Sequence, residues 1–351
     1  MVELMRNKGV FFNECLQISL PMTISENRRK NMGFRGMSKR LVGKERDIRV
    51  RKSIFLNSLK NSGNGARYKR YLGSPLRYPG GKSLAVGLIV ELIPDGVKKL
   101  VSPFFGGGSV EIACSRELEI KVIGYDIFDI LVNYWQMQID NPPELCKKLS
   151  EIRPTKENYL KIKEILKKYW NEEIILNNLE LAAFYFFNYN LSYGPGFLGW
   201  MSSIYQDEKK YKTTLDRVKN FAPKNLNVFC DIFGNVIPRH KNDFLYCDPP
   251  YFLEGDSKMF KGIYPQRNFP VHHKGFDHNL LCDLLKKHRG GFILSYNDCS
   301  DIRRMYKDYK IVDVQWQYTL GQGEKRIGKN RIKNGTNSNI KKSHEILILG
   351  V

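Results

Sequence analysis

The sequence predicts an α/β protein: a doubly wound, mostly parallel sheet flanked by helices and interrupted by a smaller, mostly helical and loop-built insert. Three observations predict it. A short apolar strand, Leu100 to Phe105, runs into Gly106-Gly107-Gly108 and then a helical stretch from Ser109 to about Arg116. A second strand, Ile120 to Tyr125, ends on Asp126 and is followed by another helix through Trp135. Strand, glycine turn, helix, strand and acid in that order form the front half of a doubly wound sheet. Later strands end on polar motifs, Phe244 to Cys247 on Asp248 and Phe292 to Ser295 on Tyr296-Asn297-Asp298.

The elements follow in order along the chain. Residues 1–73 carry 17 Lys/Arg and 5 Asp/Glu, mixed with Ser, Asn and Gly, and show little periodicity. They are expected to be a basic, poorly ordered or accessory extension. Leu84 to Leu92 suits a helix. Residues 74–149 and 236–351 are expected to form the main domain, and 150–235 the insert. Within 143–190, apolar positions at helical spacing (Ile162, Ile165, Leu166, Tyr169) predict helices. Residues 191–240, rich in Tyr, Gly, Pro, Asn and Lys, look like a loop-rich insert. Residues 276–288 suit a helix, and Glu345 to Leu349 a last strand.

Charge and cysteines narrow the function. The 351 residues carry a formal net charge of +21. The first 73 residues hold +12 of it and the last 31 hold +5, leaving the middle at +4. Two basic ends around a balanced core suit a polyanion, and counterion release makes nucleic acid the natural one. The seven cysteines form no Cys-x-x-Cys pair, so no zinc site and no other metal centre is expected. Met1 to Pro21 contains Glu3 and Glu14 and lacks a cleavage signature, and no run of about 18 apolar residues occurs, so neither a signal peptide nor a membrane span is expected. A cytoplasmic location is expected.

Four constellations carry chemistry. In Ser102 to Ser109 the glycines let the backbone approach a ligand, and the helix that follows offers free N–H groups to an anion. Phe104, Gly106 and Gly108 are the candidate contacts. Glu111 stands where a dinucleotide fingerprint needs its third glycine, which disfavours NAD. Asp126, 18 residues after Gly108, suits a ribose diol or, equally, a helix cap. In Arg77 to Ser83, Gly-Lys-Ser resembles a phosphate loop, but Leu76 occupies the required first glycine and no apolar strand precedes it, so ATP binding is disfavoured. Tyr78 and Lys82 remain an aromatic face and a cation for a ligand bearing an adenine and a carboxylate.

The fourth constellation, Asp248-Pro249-Pro250-Tyr251, decides between these options. An exocyclic amine on a heteroaromatic ring is a poor nucleophile because its lone pair is delocalised. Two acceptors aimed at its hydrogens, the Asp248 carboxylate and the Pro249 carbonyl, turn the lone pair towards a methyl donor. The prolines hold those acceptors rigidly, and Tyr251 offers a face on which a base can stack. A base in a duplex reaches such a pocket only by flipping out.

With these residues in place, the chain from about Leu76 to Leu349 resembles the Dam-type family of DNA adenine-N6 methyltransferases. Arg77 to Ser83, Ser102 to Ser109, Gly124 to Ile127 and Asp248 to Tyr251 recur in the family's order, and Phe292 to Asp298 resembles a later strand motif. The resemblance implies a Rossmann-like class I methyltransferase sheet with a DNA-recognition insert. It implies S-adenosyl-L-methionine as cofactor, held by Tyr78, Lys82, Asp126 and Asp248, and a target adenine held by Asp248, Pro249 and Tyr251. It also implies double-stranded DNA as partner, compatible with a restriction endonuclease acting separately. The insert departs from the family members that read GATC, so that specificity is not carried over. Asn188, Asn190 and Tyr193 are the candidates for reading bases. Trp200 is expected to pack. Lys325, Arg326, Lys329 and Arg331 suit phosphate contacts or, equally, a solvated loop. The alternatives are methylation of cytosine N4, RNA adenine or protein glutamine, and a non-catalytic DNA-binding protein on the same scaffold.

Overall fold

The computed structural model describes residues 48–61, 67–193, 196–252, 275–314 and 345–350. Its centre is a seven-stranded sheet: β1 (Lys99–Ser102), β2 (Lys121–Asp126), β3 (Leu226–Cys230), β4 (Phe244–Cys247), β5 (Phe292–Asn297), β6 (Lys310–Val314) and β7 (Glu345–Gly350). The order across the sheet is β3-β2-β1-β4-β5-β7-β6. The first five strands run parallel, and β7 lies antiparallel between β5 and β6. This is the mostly parallel, Rossmann-like α/β architecture that the sequence predicts. Parallel strands covered on both faces become continuous apolar runs; β4 and β5 are buried at every position.

The order places two strand ends together. The chain reverses its direction across the sheet between β1 and β4, which pair through Leu100 with Phe244 and Val101 with Leu245. In an open α/β sheet the crevice at such a reversal, outside the carboxyl ends of the strands, is where ligands bind. The glycine turn leaves β1 and the Asp-Pro-Pro-Tyr segment leaves β4 at that crevice.

The helices follow from local sequence. α1 (Ile48–Leu59) and α2 (Val86–Leu92) precede β1, and α3 (Ser109–Arg116) follows it. After β2 come α4 (Asp129–Asp140), α5 (Pro142–Ser150), α6 (Lys156–Trp170), α7 (Asn178–Leu191) and α8 (Glu208–Lys219). Side-chain caps start four of the described helices: Thr155, Asn177, Asp207 and Asp277 each accept a backbone N–H of the helix that follows. α5 instead opens on Pro142 and Pro143, tolerated where no N–H is needed. The rest are α9 (Phe233–Arg239), α10 (His278–Lys287) and α11 (Ser300–Met305). Among the described residues no helix is long and apolar enough to cross a membrane.

Three expectations change. Part of the basic extension is structural: Phe55 and Leu59, four apart on α1, are buried with Tyr68 and Tyr71 in the main core. A pair at that spacing shares one helix face, and the surrounding Arg and Lys masked it. The segment 191–240 is less loop-rich than its composition suggests, because it holds α8, β3 and α9. Residues 226–230, placed by the sequence in the insert, pair with β2 as the sheet's edge strand. Their inward residues are only Leu226 and Val228, a two-residue signal among Asn and Lys.

Candidate active site

The site is built on the first turns after β1, β2 and β4. After β1 the backbone turns sharply, with φ at +49° for Gly106 and +63° for Gly108. Side chains rarely adopt that region, so glycine is required there. Gly107 is required for closeness, since a Cβ on it would lie 2.5 Å from the Tyr78 Cβ. Tyr78 therefore lies directly on the turn, its ring stacked on Tyr189 of α7 with centroids 5.8 Å apart. The Trp135 Nε1–H donates to the Gly106 carbonyl at 2.9 Å.

Asp126 ends β2 and stitches this turn. One carboxylate oxygen accepts the Gly106 N–H at 2.9 Å, and the other accepts the Phe128 N–H at 3.0 Å, ahead of α4. The two readings of this acid are thus compatible: each oxygen keeps a lone pair for a ligand while it holds a backbone N–H. Burial raises its carboxyl above the usual range, and the backbone hydrogen bonds oppose that.

Asp248 follows β4. Its carboxylate lies 2.7 and 2.8 Å from the Lys82 ammonium, which is itself only 4% exposed. Lys82 also donates to the Gly80 carbonyl at 3.1 Å and sits 5.0 Å from the centre of the Tyr251 ring. A buried cation is costly unless paired, and here a carboxylate, a carbonyl and an aromatic face share it. Burial raises the Asp248 carboxyl and Lys82 opposes the rise. The structure thus brings together Tyr78, Lys82, Gly106, Gly108, Asp126, Asp248 and Tyr251 along one sheet edge. Phe104 joins them through a cluster with Phe233 and Phe276, at centroid distances of 5.5 and 5.7 Å.

Two neighbours escaped the sequence. Glu111, noted there only as a missing glycine, is buried and accepts the Ser102 hydroxyl at 2.6 Å. Burial pushes its carboxyl up to about 8, and the charge of Asp248 adds to the rise. Arg77 donates to the Asn190 and Ser192 carbonyls at the end of α7, at 2.8 and 3.4 Å. That tethers the Gly-Gly-Lys segment to the insert.

The base-reading candidates separate sharply. Asn188 and Asn190 are buried, at 0% and 1% exposure. The Asn188 side-chain oxygen accepts the Leu198 N–H at 2.7 Å, and that of Asn190 accepts the Arg77 N–H at 2.9 Å. Both are braces, so neither presents an edge to a base. The Asn188 bond steadies Leu198, held at φ +57°. Tyr193 is exposed. Trp200 also faces outward at 75% exposure, against the expectation that it packs; Phe197 fills the core instead. The Tyr193 N–H donates to the Trp200 carbonyl at 2.6 Å, which sets the two rings at facing positions of one short loop. Lys325, Arg326, Lys329 and Arg331 lie outside the described residues.

Comparison with known proteins settles the family. The model of the D12 class N6 adenine-specific DNA methyltransferases matches residues 78–320. The chain belongs to this family. Similar relatives include the type II methyltransferase M.FokI of Planomicrobium okeanokoites, 26% identical over 70% of this chain and 42% of that protein. The modification methylase StsI of Streptococcus sanguinis is 26% identical over 85% of this chain and 46% of its own length. The type II methyltransferase M1.LlaDCHI of Lactococcus lactis subsp. cremoris is 23% identical over 72% of this chain and 91% of its own. The chain spans less than half the length of the first two.

Proposed function

We propose that this chain transfers a methyl group from S-adenosyl-L-methionine to N6 of an adenine flipped out of a short duplex DNA site. The observation that carries the proposal is the placement of the Asp248 carboxylate and the Tyr251 ring beside the glycine turn at the sheet's reversal point. Type II modification, as in the names of the relatives, is the setting we infer.

The residues fit the cofactor. The turn at Gly106 to Gly108 admits a ligand against the backbone, and the first turn of α3, which has no side-chain cap, offers N–H groups to a carboxylate. We assign Asp126 to the ribose diol, and Phe104 with Phe233 and Phe276, which cluster together, to a flat apolar ring. When bound, the cofactor supplies an electrophilic methyl. The chain's own residues do the rest. Asp248 and the Pro249 carbonyl accept the two hydrogens of the amine and localise its lone pair. Tyr251 fixes the plane of the base. Lys82 holds the Asp248 carboxylate in place and opposes the rise that burial imposes on it. The contribution is positioning and preorganised polarity.

The test is methylome sequencing of a methylation-deficient bacterial host expressing this chain, beside an Asp248→Ala control. Modified adenine at one short motif, absent from the control, is the expected result. A soluble protein that leaves adenine unmodified overturns the proposal and favours cytosine N4 or RNA.

A further inference from the structure

The strand motif Phe292 to Asp298 has no part in the chemistry above, yet its Asn297 reaches the catalytic segment. β4 and β5 pair side by side up to Cys247 and Leu294. There β4 stops, because Pro249 and Pro250 have no N–H to give a ladder. β5 runs three residues further, to Asn297. Its side-chain amide takes over the pairing: its oxygen accepts the Phe252 N–H and its NH2 donates to the Phe252 carbonyl, both at 2.9 Å. The pair of bonds fixes the amide's orientation, since the opposite one would set N–H against N–H and oxygen against oxygen. Asn297 is 4% exposed, so its amide is costly to bury unless paired.

Phe252 directly follows Tyr251. The Tyr251 ring packs on Tyr296, the neighbour of Asn297, with centroids 6.2 Å apart, and Phe252 packs on His278 at 4.9 Å. The Asp-Pro-Pro-Tyr segment is thus held at its amino end by a strand and at its carboxyl end by one side chain acting as a strand residue. We propose that Asn297 is a positioning residue for methyl transfer, setting the plane of Tyr251 and the aim of the Pro249 carbonyl. The inference rests on the function proposed above.

The test compares the parent with Asn297→Leu, which keeps the volume and removes both hydrogen bonds, and Asn297→Asp, which keeps the acceptor and removes the donor. Methyl incorporation is read with cofactor and DNA binding measured separately. Both variants are expected to lose about 10²-fold in kcat, the scale of one misplaced contact, with both dissociation constants within about threefold. Loss in both near-isosteric variants marks the amide pair, not side-chain volume, as the cause. Either variant folded with kcat within about threefold of the parent overturns the proposal alone. A parent inactive on every adenine overturns the underlying function as well. Where the variants fail to fold, hydrogen exchange on the parent decides. A Phe252 amide as protected as those of β5 supports the clamp, and one exchanging like exposed amides overturns it.

Discussion

The sheet edge and the insert both bury polar side chains, but on opposite terms. At the sheet edge, Asp248, Lys82, Asp126 and Glu111 are ionisable groups held against the cost of burial, and the three carboxyls are pushed up as a result. In the insert, Asn188 and Asn190 are neutral amides whose oxygens each hold a backbone N–H. The first arrangement stores polarity where a reaction can use it. The second spends polarity on shape. Buried polar residues beside a loop therefore report on its shape, and its exposed aromatics are what a partner can meet.

The largest effect expected is at Asp248. Asp248→Ala should lower methyl transfer by at least about 10²–10³-fold, the scale of one lost transition-state contact. It also strands the Lys82 ammonium, so the melting temperature should fall. Adding Lys82→Met should restore the melting temperature while leaving methyl transfer lost. If stability and activity return together, Asp248 is a structural counter-ion and the comparison fails.

Glu111 sharpens the same side. Its carboxyl stands at about 8 in the native protein, against an ordinary 4.5. The native state therefore holds this proton more tightly than the unfolded chain. Stability contributed by the protonated form is complete below about pH 4.5 and is lost as pH rises through about 8. Glu111→Gln should thus gain stability over the parent progressively across that window, by about 2–4 kcal/mol at its upper end. Urea unfolding at pH 5, 6.5 and 8.5 measures the gap. A gap independent of pH would show that Glu111 is not held protonated.

In the insert, Asn188→Ala removes the acceptor for the Leu198 N–H in a buried turn. A loss of about 1–3 kcal/mol is expected, read by urea unfolding, with the methylated motif unchanged. An unchanged stability with an altered motif would make Asn188 a base reader after all.

The same contrast explains what the sequence made legible. The glycine turn, Asp126 and Asp248 to Tyr251 could be found because each follows a short apolar strand, and strand ends on one edge of a parallel sheet meet. The strand β3 was hidden because an edge strand needs only two buried residues, Leu226 and Val228. The tether of Arg77 to α7 and the clamp of Asn297 on Phe252 join residues 113 and 45 positions apart. No local pattern records such a pair. Trp200 and Phe197 were exchangeable by composition, and only the backbone of the loop decides which of them turns inward.

The smallest effect is at Trp200, and it is the most informative about the insert. Its ring lies 4.6 Å from the Lys163 ammonium, an exposed contact worth about 0.5–1 kcal/mol at most. Trp200→Ala should therefore shift stability by about 0.5 kcal/mol or less. Across the loop, Tyr193 is likewise exposed, so Tyr193→Ala should be equally silent in unfolding. If the loop meets DNA, both variants should weaken duplex binding by about 3–10-fold, the low end of aromatic contacts to bases. Fluorescence anisotropy on the methylated-motif duplex, at one stated salt concentration, measures it. Weakened binding with unchanged stability would assign recognition to the exposed rings and structure to the buried asparagines. Unchanged binding in both would move recognition off this loop altogether and leave the insert's role to another surface.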